Sequence, residues 1–220
     1  MLKNIDNLAD YSNKNSLANK FRNKRFHFFE ERMKKLNLKS IKILDVGGTQ
    51  SFWMNRGYHT NPNIEITLLN LYKEKTDYSN FKGIIGNACD LSEFKNQEFD
   101  IAFSNSVIEH LSNFDNQTKM ANEVQRVSKF HFVQTPNKYF FLEPHYLLPY
   151  FQFFPDDVKL FILSKTKLSR GTKMSLESAK KEVAEVKLLS TNQMKNLFPK
   201  SKMYNESFLM MTKSITAYNF

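Results

Sequence analysis

Five short runs of strand-forming residues recur along the chain, each followed by a cluster of polar residues. The runs are rich in Ile, Leu, Val and Phe, a composition that favours strands buried on both faces of a sheet. Helical stretches and loops separate them, which is typical of a parallel sheet covered by helices on both sides. The five runs lie at 41–46, 64–69, 81–85, 99–103 and 130–133.

The end of the sequence has a different pattern. Strands are predicted at 203–211 and 214–218, after a helix at 191–197. The sequence therefore predicts a seven-stranded, mostly parallel α/β sheet that ends with a strand pair.

One domain is the simplest division of the 220 residues, because no repeat or Gly/Pro-rich linker interrupts them. Within this domain, 1–220, a basic helical arm is predicted at 1–40. A helical lid or insertion is predicted at 138–185, after the fifth strand. The insertion contains an aromatic-rich segment at 139–163, which could be a substrate cover, a dimer surface or ordinary core.

Composition favours a cytoplasmic protein. Cys89 is the single cysteine, which excludes an intrachain disulfide and a multi-cysteine metal site. Residues 1–16 are polar and lack the apolar core of a secretory signal. The most apolar stretch, 146–154, is too short to cross a bilayer. We therefore expect a soluble protein without a transmembrane segment.

The run DVGGT at 45–49 follows the first strand. Glycine at this point lets the backbone turn sharply and approach a ligand closely, although a plain strand-to-helix turn would use it as well. Polar residues also follow the other strands, at Asn70, 86–91, 104–111 and 134–137. Ligands bind at the carboxyl ends of the strands in open α/β sheets, so this edge is the predicted site.

This series of motifs resembles the class I S-adenosylmethionine-dependent methyltransferases, particularly the methyltransferase type 11 and type 12 groups. The resemblance covers residues 38–137 and depends on the DVGGT loop and on the run SNSVIEHL at 104–111. It implies a Rossmann-like fold whose final strand pair is antiparallel, methyl transfer as the activity and S-adenosyl-L-methionine as the cofactor. The cofactor-binding residues that it implies are Asp45, Gly47 and Gly48 at the methionine, Asn70 at the ribose, Leu71, Asn87 and Ala88 at the adenine, and Asn105 and Ser106 beneath the sulfonium.

The chain departs from the pattern of these enzymes at four positions. Thr49 and Ser51 stand where a fuller glycine loop has glycine, and Asn70 and Asn87 stand where acidic residues are usual. Asparagine can still bond a hydroxyl or an exocyclic amine, but without the charge that strengthens such bonds. The loop also lacks the Gly-x-Gly-x-x-Gly spacing of a dinucleotide site, which disfavours a dehydrogenase.

We expect a small or medium-sized acceptor that is methylated at oxygen. Such an acceptor usually needs a base to take its proton, and histidine is the natural choice near neutral pH. His145, His110 and Glu109 are the candidate catalytic residues, with His145 carried by the aromatic segment. His110 could equally be a histidine packed at the start of a helix.

Two alternative functions remain open. The net charge is +10, and residues 1–40 hold ten basic against four acidic side chains, so RNA is a possible partner of an RNA methyltransferase with a basic arm. Solvated helix faces would give the same composition. The second alternative is a catalytically silent protein that binds S-adenosylmethionine, because a fold does not fix a function.

No metal is predicted. In the small-RNA 3′-end methyltransferases and in ubiquinone-pathway O-methyltransferases, a Glu-x-x-Glu-His pattern is associated with a divalent metal. Here the first glutamate position is Ser106. Glu109 and His110 alone are too few ligands, unless Glu143 or His145 joins them.

Overall fold

The computed structural model describes residues 16–220. Residues 1–15 of the predicted basic arm lie outside this range. Within the described residues, the main sheet is built from β1 (Ile41–Val46), β2 (Ile64–Asn70), β3 (Phe81–Ile85), β4 (Phe99–Asn105), β5 (Ser128–Pro136), β8 (Lys202–Phe208) and β9 (Met211–Tyr218), and a short hairpin from β6 (Leu142–Glu143) and β7 (Leu148–Pro149). The α-helices are α1 (Leu17–Lys35), α2 (Gln50–Met54), α3 (Phe114–Val127), α4 (Asp156–Lys165), α5 (Leu176–Glu185) and α6 (Thr191–Leu197).

The main sheet has the strand order β3-β2-β1-β4-β5-β9-β8. Strands β1 to β5 pair in parallel, whereas β9 runs antiparallel to both of its neighbours. The predicted Rossmann-like sheet with a reversed final strand pair is therefore confirmed. Several boundaries differ from the prediction: β5 spans Ser128–Pro136 and not 130–133, β8 ends at Phe208 and not at residue 211, and β9 begins at Met211 and not at residue 214. Leu209 and Met210 form the hairpin turn with positive φ angles of 49° and 63°.

Helices cover both faces of the sheet. On one face, α3 and α6 contribute buried aliphatic residues such as Val124 and Met194. On the other face, α1 and α2 contribute Phe29 and Trp53 to a largely aromatic core. In this core the rings of Phe103 on β4 and Phe132 on β5 stack, with their centroids 5.6 Å apart. Both faces of β1, β4 and β5 are therefore buried, as their nearly unbroken apolar sequences predict.

Local sequence signals fix the ends of several helices. Ser16 caps α1 by accepting a hydrogen bond from the backbone N–H of Asn19 at 3.1 Å. Asn113 caps α3 in the same way. Ser190 and Gln193 form a reciprocal capping box at the start of α6. These caps satisfy backbone N–H groups that have no partner inside the helix.

The segment 138–185 consists of the β6–β7 hairpin followed by α4 and α5. It has a small core of its own, which includes Tyr146, Phe151 and Leu163. Other rings of the aromatic-rich segment are exposed, among them Tyr139 and Phe161. The aromatic residues of 139–163 are thus divided between this local core and the surface. Among residues 16–220, no helix is long and apolar enough to cross a membrane.

Helix α1 is fastened to the final strand pair by a buried ion pair. Arg25 Nη1 lies 3.4 Å from Glu206 Oε2 and 3.3 Å from Ser214 Oγ. Lys213 Nζ is 3.7 Å from the same carboxylate oxygen. Part of the predicted basic arm is therefore integral to the fold, because Arg25 is buried and committed to this contact.

We expect Arg25→Met to lower the free energy of unfolding by about 3 kcal/mol, since it leaves the Glu206 carboxylate buried without its main cation. Urea denaturation measures the loss. The double variant Arg25→Met/Glu206→Met should recover much of it, because apolar side chains of similar volume can replace a buried pair. A single variant as stable as the wild type would contradict this account.

Candidate active site

A cavity of about 650 Å³ opens at the carboxyl ends of β1 and β4. Parallel strands bring their carboxyl ends to one edge, and this cavity lies at the predicted edge. Its walls come from the loop after β1, from α2, from the end of β4 and from α1. The lining residues are Asn19, Arg22, Asn23, Asp45, Gly47, Gly48, Thr49, Ser51, Phe52, Asn55, Arg56, Phe103 and Asn105.

The glycine loop is shaped by the carboxylate of Asp45. A side chain at Gly48 would overlap this carboxylate, so only glycine leaves room for it. Gly47 has a φ of 78°, a conformation that suits glycine. The Asp45 carboxylate is buried and accepts a hydrogen bond from Trp53 Nε1 at 2.6 Å. Burial raises its pKa from 3.8 to about 7, and the Trp53 bond opposes the shift.

The predicted ribose residue, Asn70, lies beside the glycine loop. Its side-chain Nδ2 donates a hydrogen bond to the carbonyl oxygen of Gly48 at 2.7 Å. The following residue, Leu71, is 82% exposed. Neither residue lines the 650 Å³ cavity. An asparagine at this position therefore links the end of β2 to the loop, which an aspartate could not do by donation.

The predicted adenine and sulfonium residues also lie at this edge. Asn87 Oδ1 accepts a hydrogen bond from the backbone N–H of Cys89 at 2.9 Å, and Ala88 is buried. Asn105 lines the cavity. Ser106 has a φ of 60° and donates through Oγ to Gln134 at 3.0 Å. Of these four residues, the cavity includes Asn105 alone.

Two arginines that line the cavity, Arg22 and Arg56, were not predicted from the sequence. Arg56 Nη1 donates to the carbonyl oxygen of Phe52 at 2.7 Å, and its guanidinium lies 3.9 Å from the Phe52 ring centroid. Burial, together with the nearby charge of Arg22, lowers the pKa of Arg56 to about 10. Their positive charge suits an anionic group such as a carboxylate. Asn19, Arg22 and Asn23 are spaced i, i+3, i+4, so they share one helix face.

The candidate catalytic residues come together just after β4. Glu109 and His110 lie in a short 3₁₀ turn, Ile108–His110, and His145 comes from the β6–β7 hairpin. The ring centroids of His110 and His145 are 4.9 Å apart. One ligand-type atom from each of the three residues lies within 4.8 Å of the others. We call Glu109, His110 and His145 the His–Glu cluster.

Glu143 holds His145 in place. Its Oε1 lies 2.7 Å from His145 Nδ1, and its Oε2 accepts backbone hydrogen bonds from His145 and Tyr146, both at 2.8 Å. Arg170 donates to the carbonyl oxygens of Pro144 and His145. The turn that carries His145 is therefore fixed from two sides.

Burial and mutual charge govern the pKa values in the His–Glu cluster. Burial raises the pKa of Glu109 to about 7, although a hydrogen bond from Thr135 and the charge of His145 oppose this. Burial and the charge of His145 lower the pKa of His110. Burial also acts to lower the pKa of His145, but the hydrogen bond and charge of Glu143 outweigh it and raise the value.

Comparison with known proteins finds a methyltransferase domain within the chain. Residues 44–131 match the family described as the methyltransferase domain. This range holds the glycine loop, Asn70 and the turn after β4. This match indicates a methyltransferase domain of the type 11 group at residues 44–131, with S-adenosylmethionine as the cofactor, and the strand order is the Rossmann-like one.

Several solved structures are similar to this chain. A protein from Pyrococcus horikoshii OT3 is similar over 90% of this chain and 89% of its own, with 15% identity and a TM-score of 0.53. An S-adenosylmethionine-dependent methyltransferase from Aquifex aeolicus covers 99% of this chain and 97% of its own, with 14% identity and a TM-score of 0.46. One from Methanosarcina mazei covers 82% and 92%, with 11% identity and a TM-score of 0.48. A search of curated protein sequences gave no significant match.

Asp45 should make the stability of the cofactor-free protein depend on pH. In the unfolded chain its carboxyl loses the proton near pH 4, whereas the folded protein holds that proton up to about pH 7. Stability is therefore lost as the pH rises between these values, by roughly 3–4 kcal/mol at most. Asp45→Asn should remove this loss while keeping an oxygen for Trp53.

Urea denaturation of both proteins at pH 5 and pH 8 checks this expectation. The carboxyl of Glu109 contributes in the same direction to both proteins, so it cancels in the comparison. Parallel losses of stability in the wild type and the variant would show that Asp45 is not responsible.

Proposed function

We propose that the protein transfers the methyl group of S-adenosylmethionine to an oxygen atom of a small or medium-sized acceptor that binds at the His–Glu cluster. One observation supports this most directly. Asn105, the last residue of β4, lines the cavity that we assign to the cofactor. Glu109 and His110 lie in the short 3₁₀ helix that follows it in the chain. The groups that can act on an acceptor therefore lie next to the predicted position of the methyl donor.

Methyl transfer from S-adenosylmethionine requires few further catalytic groups. The sulfonium is an activated methyl donor, so the main task is to hold the acceptor in line with the S–CH₃ bond. An acceptor hydroxyl must also lose its proton when its oxygen forms the new bond. The His–Glu cluster supplies two imidazoles and one carboxylate for activating that hydroxyl.

The segment 138–185 supports a small-molecule acceptor. Its hairpin brings His145 from a distant part of the chain to His110, and its helices pack behind the hairpin around Leu163. A wall of this kind excludes water and encloses a ligand of limited size. We assign it as the cover of the acceptor site.

His145→Ala should lower the rate of methyl transfer at least about tenfold, because it removes a group that acts on the acceptor hydroxyl. Cofactor affinity should stay unchanged, since His145 does not line the cofactor cavity. The measurement is S-adenosylhomocysteine formation at saturating cofactor, with the low-molecular-mass fraction of an extract of the source cells as acceptor.

His27→Ala is the matched control. This imidazole also lies near a carboxylate, Glu31, but on the exposed surface of α1. Circular dichroism of both variants tests for folding. Equal transfer rates in the wild type and in a folded His145→Ala variant would remove His145 from the site.

Exposed lysines of α1 keep the RNA alternative testable. Lys24 and Lys34 are exposed, whereas Arg25 is buried in its ion pair. For a small-molecule enzyme, Lys24→Glu/Lys34→Glu should leave transfer unchanged. An RNA enzyme would lose affinity, and the slope of log affinity against log salt would become shallower by about one for each lost phosphate contact.

The choice of extract fraction separates the remaining functions. Transfer to the RNA fraction that falls in the double lysine variant would establish the RNA methyltransferase. Cofactor binding without transfer to any fraction would establish a catalytically silent protein.

A further inference from the structure

The His–Glu cluster brings together three atoms of the kind that can bind a metal ion. One carboxylate oxygen of Glu109 and one ring nitrogen each of His110 and His145 lie within 4.8 Å of one another. Some point therefore lies within about 2.8 Å of all three atoms. Zinc binds such ligands at about 2.0–2.2 Å, so shifts of less than about 1 Å would complete the coordination.

The Glu109 carboxylate is buried, and one of its two oxygens lacks a hydrogen-bond partner among the described residues. Its side chain is fully buried, and Oε2 accepts a hydrogen bond from Thr135 at 3.0 Å. Its second oxygen, Oε1, has no hydrogen-bond partner among residues 16–220. A buried carboxylate oxygen without a partner is costly, and a bound cation removes that cost.

Glu143 prepares His145 as a ligand. The Glu143 carboxylate occupies Nδ1 of His145 at 2.7 Å, which leaves Nε2 for the ion. Carboxylates placed behind a metal-binding histidine fix its ring and raise its basicity. His145 would thus be a third ligand beside Glu109 and His110, in a chain where Ser106 stands at the first glutamate position of the Glu-x-x-Glu-His pattern. The side chains of His110 and His145 remain 36% and 20% exposed, so an ion can enter.

We infer that Glu109, His110 and His145 form a binding site for one divalent transition-metal ion, with Glu143 as the positioning residue of His145. Two imidazoles and one carboxylate match the ligand preference of zinc and its neighbours in the first transition row, and not that of Mg²⁺ or Ca²⁺, which favour oxygen ligands. Three protein ligands leave a coordination position open for an acceptor oxygen.

Ion binding needs neither cofactor nor acceptor, whereas the role of the ion rests on the proposed function. An ion held by these three residues would lower the pKa of an acceptor hydroxyl bound next to it, so that the proton could pass to solvent. The acceptor oxygen would then form the new O–CH₃ bond as the S–CH₃ bond breaks, with S-adenosylhomocysteine as the leaving product. In this case His145 would hold the ion and would not itself accept the proton.

The test measures ion binding directly. The purified full-length protein is stripped with a chelator and dialysed against Zn²⁺ or Co²⁺, and the bound metal is counted by elemental analysis. We expect one ion per chain, a Co²⁺ absorption spectrum typical of low coordination number, and no displacement by millimolar Mg²⁺.

Three variants test the assignment, and a fourth serves as the control. Glu109→Gln and His145→Ala should each weaken Zn²⁺ binding at least tenfold, and Glu143→Gln should weaken it by about 10–100-fold through the orientation of His145. The control His27→Ala, which removes an exposed imidazole, should bind as the wild type does. Cofactor affinity and circular dichroism show that each variant is folded.

The outcomes are separable. Absence of stoichiometric Zn²⁺ and Co²⁺, or equal binding by a folded Glu109→Gln variant, overturns the metal site and leaves the proposed function standing. Tight binding of one ion to a protein that methylates no small acceptor overturns the proposed function and leaves the metal site standing.

Discussion

The hydrogen bond between Trp53 and Asp45 is the interaction around which the cavity at the carboxyl ends of β1 and β4 is organised. It draws the carboxylate inward over Gly48, so the loop after β1 can close only with glycine at that position. Asn70 then secures the same loop from the end of β2 through the Gly48 carbonyl. Because Trp53 is also fully buried in the aromatic core, the shape of the loop is tied to the packing of one whole face of the sheet.

Carboxylates hold the second half of the site together in a comparable way. Glu143 accepts three contacts from the turn that carries His145, and Glu109 accepts one from Thr135 on β5. Glu143 is thus satisfied by the hairpin itself, whereas Glu109 keeps one oxygen without a partner in the described chain. The two buried carboxylates therefore differ. Glu143 stabilises the hairpin turn, whereas Glu109 has one oxygen that could still accept a bond.

Much of the fold could be predicted from sequence, because buried parallel strands are nearly continuous apolar runs with polar residues at their carboxyl ends. The extent of β8 could not, since the apolar pair Leu209–Met210 forms a turn through backbone angles that composition does not reveal. The position of Arg22 at the cavity could not be predicted either, because it depends on how α1 packs on the sheet. The approach of His145 to His110 depends on a hairpin 35 positions away along the chain, which no local pattern reports.

The anchoring of α1 has a consequence for how the protein is made. Its polar clamp joins Arg25 to Glu206, which comes 181 positions later in the chain, whereas its ring Phe29 packs against Phe103 of β4. During translation the helix can therefore dock through its rings first, and the clamp to β8 and β9 can form only after those strands emerge. The cavity wall that α1 supplies is thus held by packing before it is locked by charge.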